Sequence, residues 1–170
     1  MAAASQPRPA AEKDLDAVVA LYEGARRFMA ANGNPTQWAG GYPGRAEAER
    51  DLAVGGLWVL DDPDGDGLAG VMSVLPGPDP TYVRIEGAGW LTDGPYWVMH
   101  RMAVASQGRG CGSALLRWLC ERHPDVRADT HEDNVPMQRA LERAGFSRRG
   151  TIWVEDGTSR IAYHHVAAGA

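Results

Sequence analysis

A chain of 170 residues, 44% hydrophobic and 23% charged, has the size and composition of a globular protein, and residues 1–170 read as a single domain. Its formal charge of -5 excludes a partner held mainly by phosphate neutralisation, nucleic acid above all, because such binding needs a broad basic face. No apolar run approaches the roughly 20 residues of a membrane span, and Met1 to Ala11 lacks the basic stretch and apolar core of an export signal, so a cytoplasmic protein with no membrane partner is expected.

After an extended start over residues 5–10, Asp14 is placed to cap a helix in which Leu15, Val18, Val19, Leu21 and Tyr22 recur at helical spacing as far as about Ala30. Residues 32–44 have loop chemistry, with Gly, Pro and Asn around Trp38 and Tyr42. A short helix fits residues 45–54. Leu57 to Leu60 and Leu68 to Leu75 then form the arms of a hairpin. Its Asp-rich turn resembles a calcium loop, but the twelfth position counted from Asp61, Asp62 or Asp64 is Met72, Ser73 or Leu75 rather than Glu, so a solvated turn is expected.

Strands are predicted over residues 81–85, where an extended loop is the alternative, and over residues 96–104, the latter apolar enough to be buried on both faces. A helix over 110–122, a strand over 126–131, a helix over 134–144 and strands over 146–154 and 160–166 complete the chain. This order implies a mixed sheet with helices on its faces, in the α/β or α+β class. Cys111 and Cys120 share one predicted helix and would lie about 13 Å apart, too far for a disulfide. The five histidines show neither CxxC nor HExxH spacing, and no metal is expected.

The strongest local signal is Gln107-Gly108-Arg109-Gly110-Cys111-Gly112-Ser113, between a strand and a helix. Dense glycine lets backbone N–H groups converge on an anion, the free N–H groups of the following helix add to the attraction, and Arg109 would supply a charge. A P-loop is excluded because no Lys-Ser or Lys-Thr pair exists. A dinucleotide fold, and with it an NAD-dependent oxidoreductase, requires GxGxxG, whereas the glycines here give GxGxG.

Val104 to Gly112 resembles the Gln/Arg-x-x-Gly-x-Gly/Ala signature of the GNAT family of N-acetyltransferases. Asp129 to Phe146, in which Asn134 opens a helix ending in Gly145-Phe146, resembles the family's second motif. The resemblance implies a mostly antiparallel central sheet with helices on both faces and a splayed strand pair that takes acetyl-CoA as cosubstrate. It further implies that the backbone of Met102, Ala103 and Val104 pairs with the pantetheine chain. The turn from Gln107 through Gly108, Arg109, Gly110, Cys111 and Gly112 to Ser113 would hold the pyrophosphate, and Asn134 would face the cofactor arm. The activity implied is direct transfer of an acetyl group to a primary amine of a small acceptor. A catalytically inactive acyl-CoA-binding sensor is the alternative, and a homodimer is left open.

Strand alternation places Val98, His100, Met102 and Val104 on one face and Arg101 on the other. His100 is thereby a candidate base one step upstream of the pantetheine track, since an ordinary histidine titrates near 6.5; a structural strand histidine is the competing reading. Many family members carry Tyr five positions before the Phe of Gly-Phe, as the acid that meets the departing thiolate; here that position is Leu141. His131, oriented by Asp129, is a candidate substitute, with solvent as the other. Trp38, Tyr42, Tyr82 and Glu86, with Trp90, are candidates to frame the acceptor, or else core and rim packing.

Overall fold

In the computed structural model, which describes residues 5–170, eight strands form one sheet. They are β1 (Arg8–Pro9), β2 (Leu57–Asp61), β3 (Leu68–Pro76), β4 (Glu86–Gly87), β5 (Trp97–Val104), β6 (Asp125–Thr130), β7 (Ser147–Trp153) and β8 (Ser159–Val166). The order across the sheet is β1-β2-β3-β5-β6-β8-β7-β4, antiparallel throughout except for the parallel pair β5–β6. Residues 1–4, part of the stretch read as carrying no export signal, lie outside the described residues.

Apolar periodicity decides which face each helix covers. α1 (Leu15–Ala31) buries Leu15, Val18, Leu21, Tyr22, Ala25 and Met29. With Ala48 of α2 (Arg45–Ala53), these pack on Val59, Val71 and Ala103 of the sheet. On the opposite face, Leu115, Leu116 and Leu119 of α3 (Cys111–Arg122) and Leu141 of α4 (Val135–Arg143) meet Met72, Val74, Met99, Val126 and Ala128. Each such leucine contributes about 1.5–3 kcal/mol by leaving water. Both cysteines are free thiols. Among the described residues, no helix is long and apolar enough to cross a membrane.

Three local features depart from the sequence reading. Asp14 makes no side-chain cap to α1; its carboxylate instead accepts from the Ala11 N–H and from Arg8, which also reaches Asp61 and so joins β1, β2 and the start of α1. Residues 81–85 are not a strand. Pro80–Tyr82 is a 3-10 turn whose N-cap, Asp79, accepts from the Thr81 N–H at 2.8 Å, because Pro80 has no donor for a ladder and Asp is a strong cap.

The third departure lies in β5. Arg101 has φ 50, and Val71 pairs with Ala103 while Ser73 pairs with His100, so two residues of β5 oppose Met72 alone. This bulge reverses the side-chain alternation beyond it. His100 and Arg101 both point to the α1/α2 face, reaching Asp79 and Asp51, whereas Met102 packs on the α3/α4 face. The expected common face of His100, Met102 and Val104, with Arg101 opposite, is therefore corrected.

Pairing between β5 and β6 covers only Trp97, Val98 and Met99 against Val126, Arg127 and Ala128. Beyond that point β5 stays with β3 and β6 stays with β8. The two strands diverge, and their facing backbone edges are left without each other.

Candidate active site

The chain turns sharply after β5 because Gly108 and Gly110 take φ values of 78 and 77, a left-handed conformation that costs glycine little. Gly110 is the N-cap of α3, whose first backbone bond runs from Ala114 N–H to the Gly110 carbonyl at 2.9 Å. The N–H groups of Cys111, Gly112 and Ser113 thus have no intrahelical acceptor and form an anion-binding end.

These residues line a groove of about 390 Å³ along the end of β5, beyond its pairing with β6. The groove gathers Met102, Ala103, Val104, Gln107, Gly108, Gly110, Cys111, Gly112, Ser113 and Asn134, with Met29 of α1 on one side and Met137 of α4 on the other. Arg109 is the exception among the expected cofactor residues. Its guanidinium turns to the β2–β3 hairpin, 3.2 Å from Asp62 and 2.5 Å from Asp64. The cations on the groove are Arg139 and Arg143, missed by the sequence reading although their i, i+4 spacing on α4 was a signal for a shared face. A second groove of about 560 Å³ shares Ser113 and Arg143 and adds Arg117 and His165.

Asn134 caps α4 by accepting from the Met137 N–H at 3.3 Å, and just past the α4 C-cap Ala144, Gly145 takes φ 94 and the Phe146 N–H returns to the Leu141 carbonyl. The Asn134 amide also donates to Gln37 Oε1 at 3.0 Å. The same oxygen accepts from Asn34 at 2.9 Å and from the His131 N–H at 3.4 Å. Gln37 thus fastens the 32–44 loop to the turn between β6 and α4. Nothing in the sequence distinguished it from other loop amides.

His100 directly follows the last β5 residue paired with β6. Its Nε2 lies 2.8 Å from Asp79 Oδ2. Asp79 Oδ1 accepts from the Thr81 N–H and hydroxyl, and the Asp79 N–H donates to the Tyr96 hydroxyl. Burial alone would raise the Asp79 carboxyl, yet the hydrogen bonds from His100 and Thr81 outweigh it and hold it at about 2. Tyr82 is buried, its ring 6.1 Å from that of His100, and its hydroxyl donates to Asp129 Oδ2 at 2.7 Å. Burial first, and the Asp129 charge second, push this phenol well above its ordinary value, so it stays protonated.

Asp129 is therefore Tyr82's partner rather than His131's. His131 instead accepts at Nδ1 from the Asp133 N–H at 3.1 Å. Of the other acceptor candidates, Trp38 is core, edge-on to Tyr22 in the α1 cluster. Tyr42 is exposed, and its hydroxyl accepts from Arg101 at 3.2 Å. Arg101 is bidentate to buried Asp51, which also accepts from the Ser73 hydroxyl. Trp90 donates to the Tyr82 carbonyl. Glu86 is exposed on the edge strand β4 and pairs with Arg84, away from the groove. Leu141 is fully buried in the α3/α4 core.

Two backbone-built features, a glycine turn capping a helix and a parallel strand pair that opens beside it, define an acyltransferase-type fold. The model of the acetyltransferase (GNAT) family matches residues 16–146, and the chain belongs to that family. A GNAT-family acetyltransferase from Streptococcus agalactiae is 34% identical, with a TM-score of 0.86 over 95% of this chain and 94% of that one. An aminoglycoside N(6')-acetyltransferase type 1 from Klebsiella pneumoniae is 35% identical over 89 residues, which span 45% of this chain and less than half, 44%, of that relative. An aminoglycoside acetyltransferase solved with coenzyme A and kanamycin shares the fold, at 21% identity and a TM-score of 0.63 over 96% of this chain and 95% of that one.

Proposed function

We propose that this protein moves an acetyl group from acetyl-CoA directly to a primary amine of a small, cationic acceptor. The observation that carries the reading is the groove along the part of β5 that has left β6, with the α3 N-terminus along it; His100 follows Met99, the last residue paired with β6. The open backbone edge at Met102, Ala103 and Val104 would pair with the pantetheine amides. The N–H groups of Cys111, Gly112 and Ser113 would hold the pyrophosphate, and Arg139 and Arg143 would offset its charge. The nucleotide end would continue into the groove shared through Ser113 and Arg143. The relatives named for aminoglycosides, which are multiply charged amines, and the chain's own charge of -5 support a cationic acceptor.

The reaction requires the acceptor nitrogen to attack the thioester carbon, an oxyanion to form, and the carbon–sulfur bond to break as the thiolate leaves. His100 takes the amine proton, and strand N–H groups near Met102 stabilise the oxyanion. With Leu141 in the core, solvent protonates the thiolate, whose conjugate thiol has a pKa of about 8.5. His131, tied to Gln37 and Asp133, supports the turn that presents Asn134.

Thermal shift tests the cofactor. Acetyl-CoA at 100 times its dissociation constant adds about 2.7 kcal/mol of stability, whereas NAD should add none; the reverse order would overturn the reading. An amine panel with thiol detection then tests turnover. His100→Ala is expected to lower turnover by about 10²- to 10⁴-fold with acetyl-CoA binding intact, and a loss below about fivefold would remove His100 from the chemistry.

A further inference from the structure

We infer that Asp79 is a positioning residue that holds the His100 imidazole with its proton on Nε2, leaving Nδ1 as the atom that accepts the acceptor's proton. The inference rests on the proposed transfer reaction for its chemistry, though its structural part is independent of it.

His100 Nε2 lies 2.8 Å from Asp79 Oδ2, and Asp79 is ionised, so this nitrogen carries the hydrogen. The carboxylate cannot swing away. Its other oxygen is engaged by both the N–H and the hydroxyl of Thr81, and its own N–H is fixed on Tyr96. Nδ1 has no hydrogen-bond partner among the described residues and is not sealed in the core, since the His100 side chain keeps 23% of its exposure and Asp79 16%. In the proposed step, the amine forms its bond to the thioester carbon and its proton passes to Nδ1; the carbon–sulfur bond breaks as the thiolate leaves to be protonated by solvent, and the imidazolium is stabilised by Asp79 through Nε2–H until solvent takes its proton.

The surrounding charges leave this role to Asp79 alone. Arg101, the next residue, is neutralised by Asp51, which also accepts from Ser73. Asp129 on β6 is turned to the Tyr82 hydroxyl, and Tyr82, its phenol neutral, presents its ring to His100. Asp79 is the only carboxylate among the described residues in direct contact with the imidazole.

Nitrogen NMR of the intact protein, with His100 assigned by its loss in His100→Gln, reads the tautomer directly. The Nε2–H form is expected, with or without acetyl-CoA; the Nδ1–H form would overturn the inference. Asp79→Asn removes the negative charge, so imidazolium is less favoured and His100 should gain its second proton at lower pH than in the parent. The acidic limb of the kcat/KM profile should move the same way, with a plateau lower by about tenfold or more and an unchanged KM for acetyl-CoA. A lowered plateau with an unmoved limb, or an unmoved histidine titration, would reduce Asp79 to packing and overturn the proposal. If Asp79→Asn does not fold, the tautomer of the parent protein still decides. If no amine is acetylated, the transfer reading fails while the tautomer and the titration still test the Asp79–His100 pair.

Discussion

The proposed cofactor side of the site and its proposed acceptor side are constructed differently. The turn from Val104 to Ser113 is one continuous stretch that presents backbone N–H groups. The proposed acceptor side draws Gln37 from one loop, Asp51 from α2, Asp79 and Tyr82 from another loop, and Asp129 from β6, all held by side-chain bonds. A backbone site survives any substitution that keeps its φ and ψ angles and leaves the ligand's approach open. A side-chain site depends on every partner, so the first can be read from a local motif and the second only from the folded chain.

The largest effect expected on the cofactor side is at Gly110. A β carbon there would meet no protein atom within 4 Å, but φ 77 suits glycine and not a β-branched residue. Gly110→Val should stay folded, losing about 1–2 kcal/mol to the left-handed backbone, while acetyl-CoA affinity measured by titration calorimetry falls more than about tenfold because the side chain crowds the anion's seat. At Gly112 the β carbon would meet Met102 at 3.6 Å, an ordinary contact, so Gly112→Ala should be the milder change. Unchanged affinity in folded Gly110→Val would break the comparison, since the turn would then not work through close backbone approach.

A smaller effect is expected at Leu141, where the resemblance points to an acid and the structure to packing. Leu141 is fully buried and does not line the groove. Leu141→Tyr should cost about 1–3 kcal/mol of stability by overpacking, read from denaturant unfolding, and should not raise turnover. A faster enzyme would mean that the new hydroxyl reaches the sulfur and that this helix position belongs to the chemistry.

The order of helices and strands from α1 to β8 was legible because apolar periodicity is written locally, and the glycine turn because its geometry requires those residues. Of the strand or extended loop expected over residues 81–85, the strand is absent because Asp79 and Pro80 form a capped turn, a signal present in the sequence. The bulge at Arg101 had no such signal. Arginine does not favour φ 50, and it is held there by Asp51, fifty positions away in sequence, so the reversal that separates His100 from Met102 follows from tertiary contact alone. The side-chain chemistry of Trp38 and Glu86 suits a cationic acceptor, but Trp38 fills the α1 cluster and Glu86 lies on the far edge strand.

The smallest effect is expected at Arg109, the one charged residue inside the glycine turn. On sequence grounds it faces the pyrophosphate; in the structure its guanidinium is shared by Asp62 and Asp64 of the β2–β3 hairpin. These exposed carboxylates offset the charge that would otherwise reach the cofactor, and exposed pairs of this kind contribute little to stability. Arg109→Ala should therefore leave the melting temperature nearly unchanged and alter acetyl-CoA affinity by less than about threefold, whereas Arg143→Ala, which removes a cation lining both grooves, should weaken binding more and with a steeper dependence on salt. A tenfold loss in Arg109→Ala would mean that the guanidinium leaves the hairpin when the cofactor binds. In that case Asp62→Asn and Asp64→Asn together should tighten binding, because the hairpin would be competing with the pyrophosphate for the same cation.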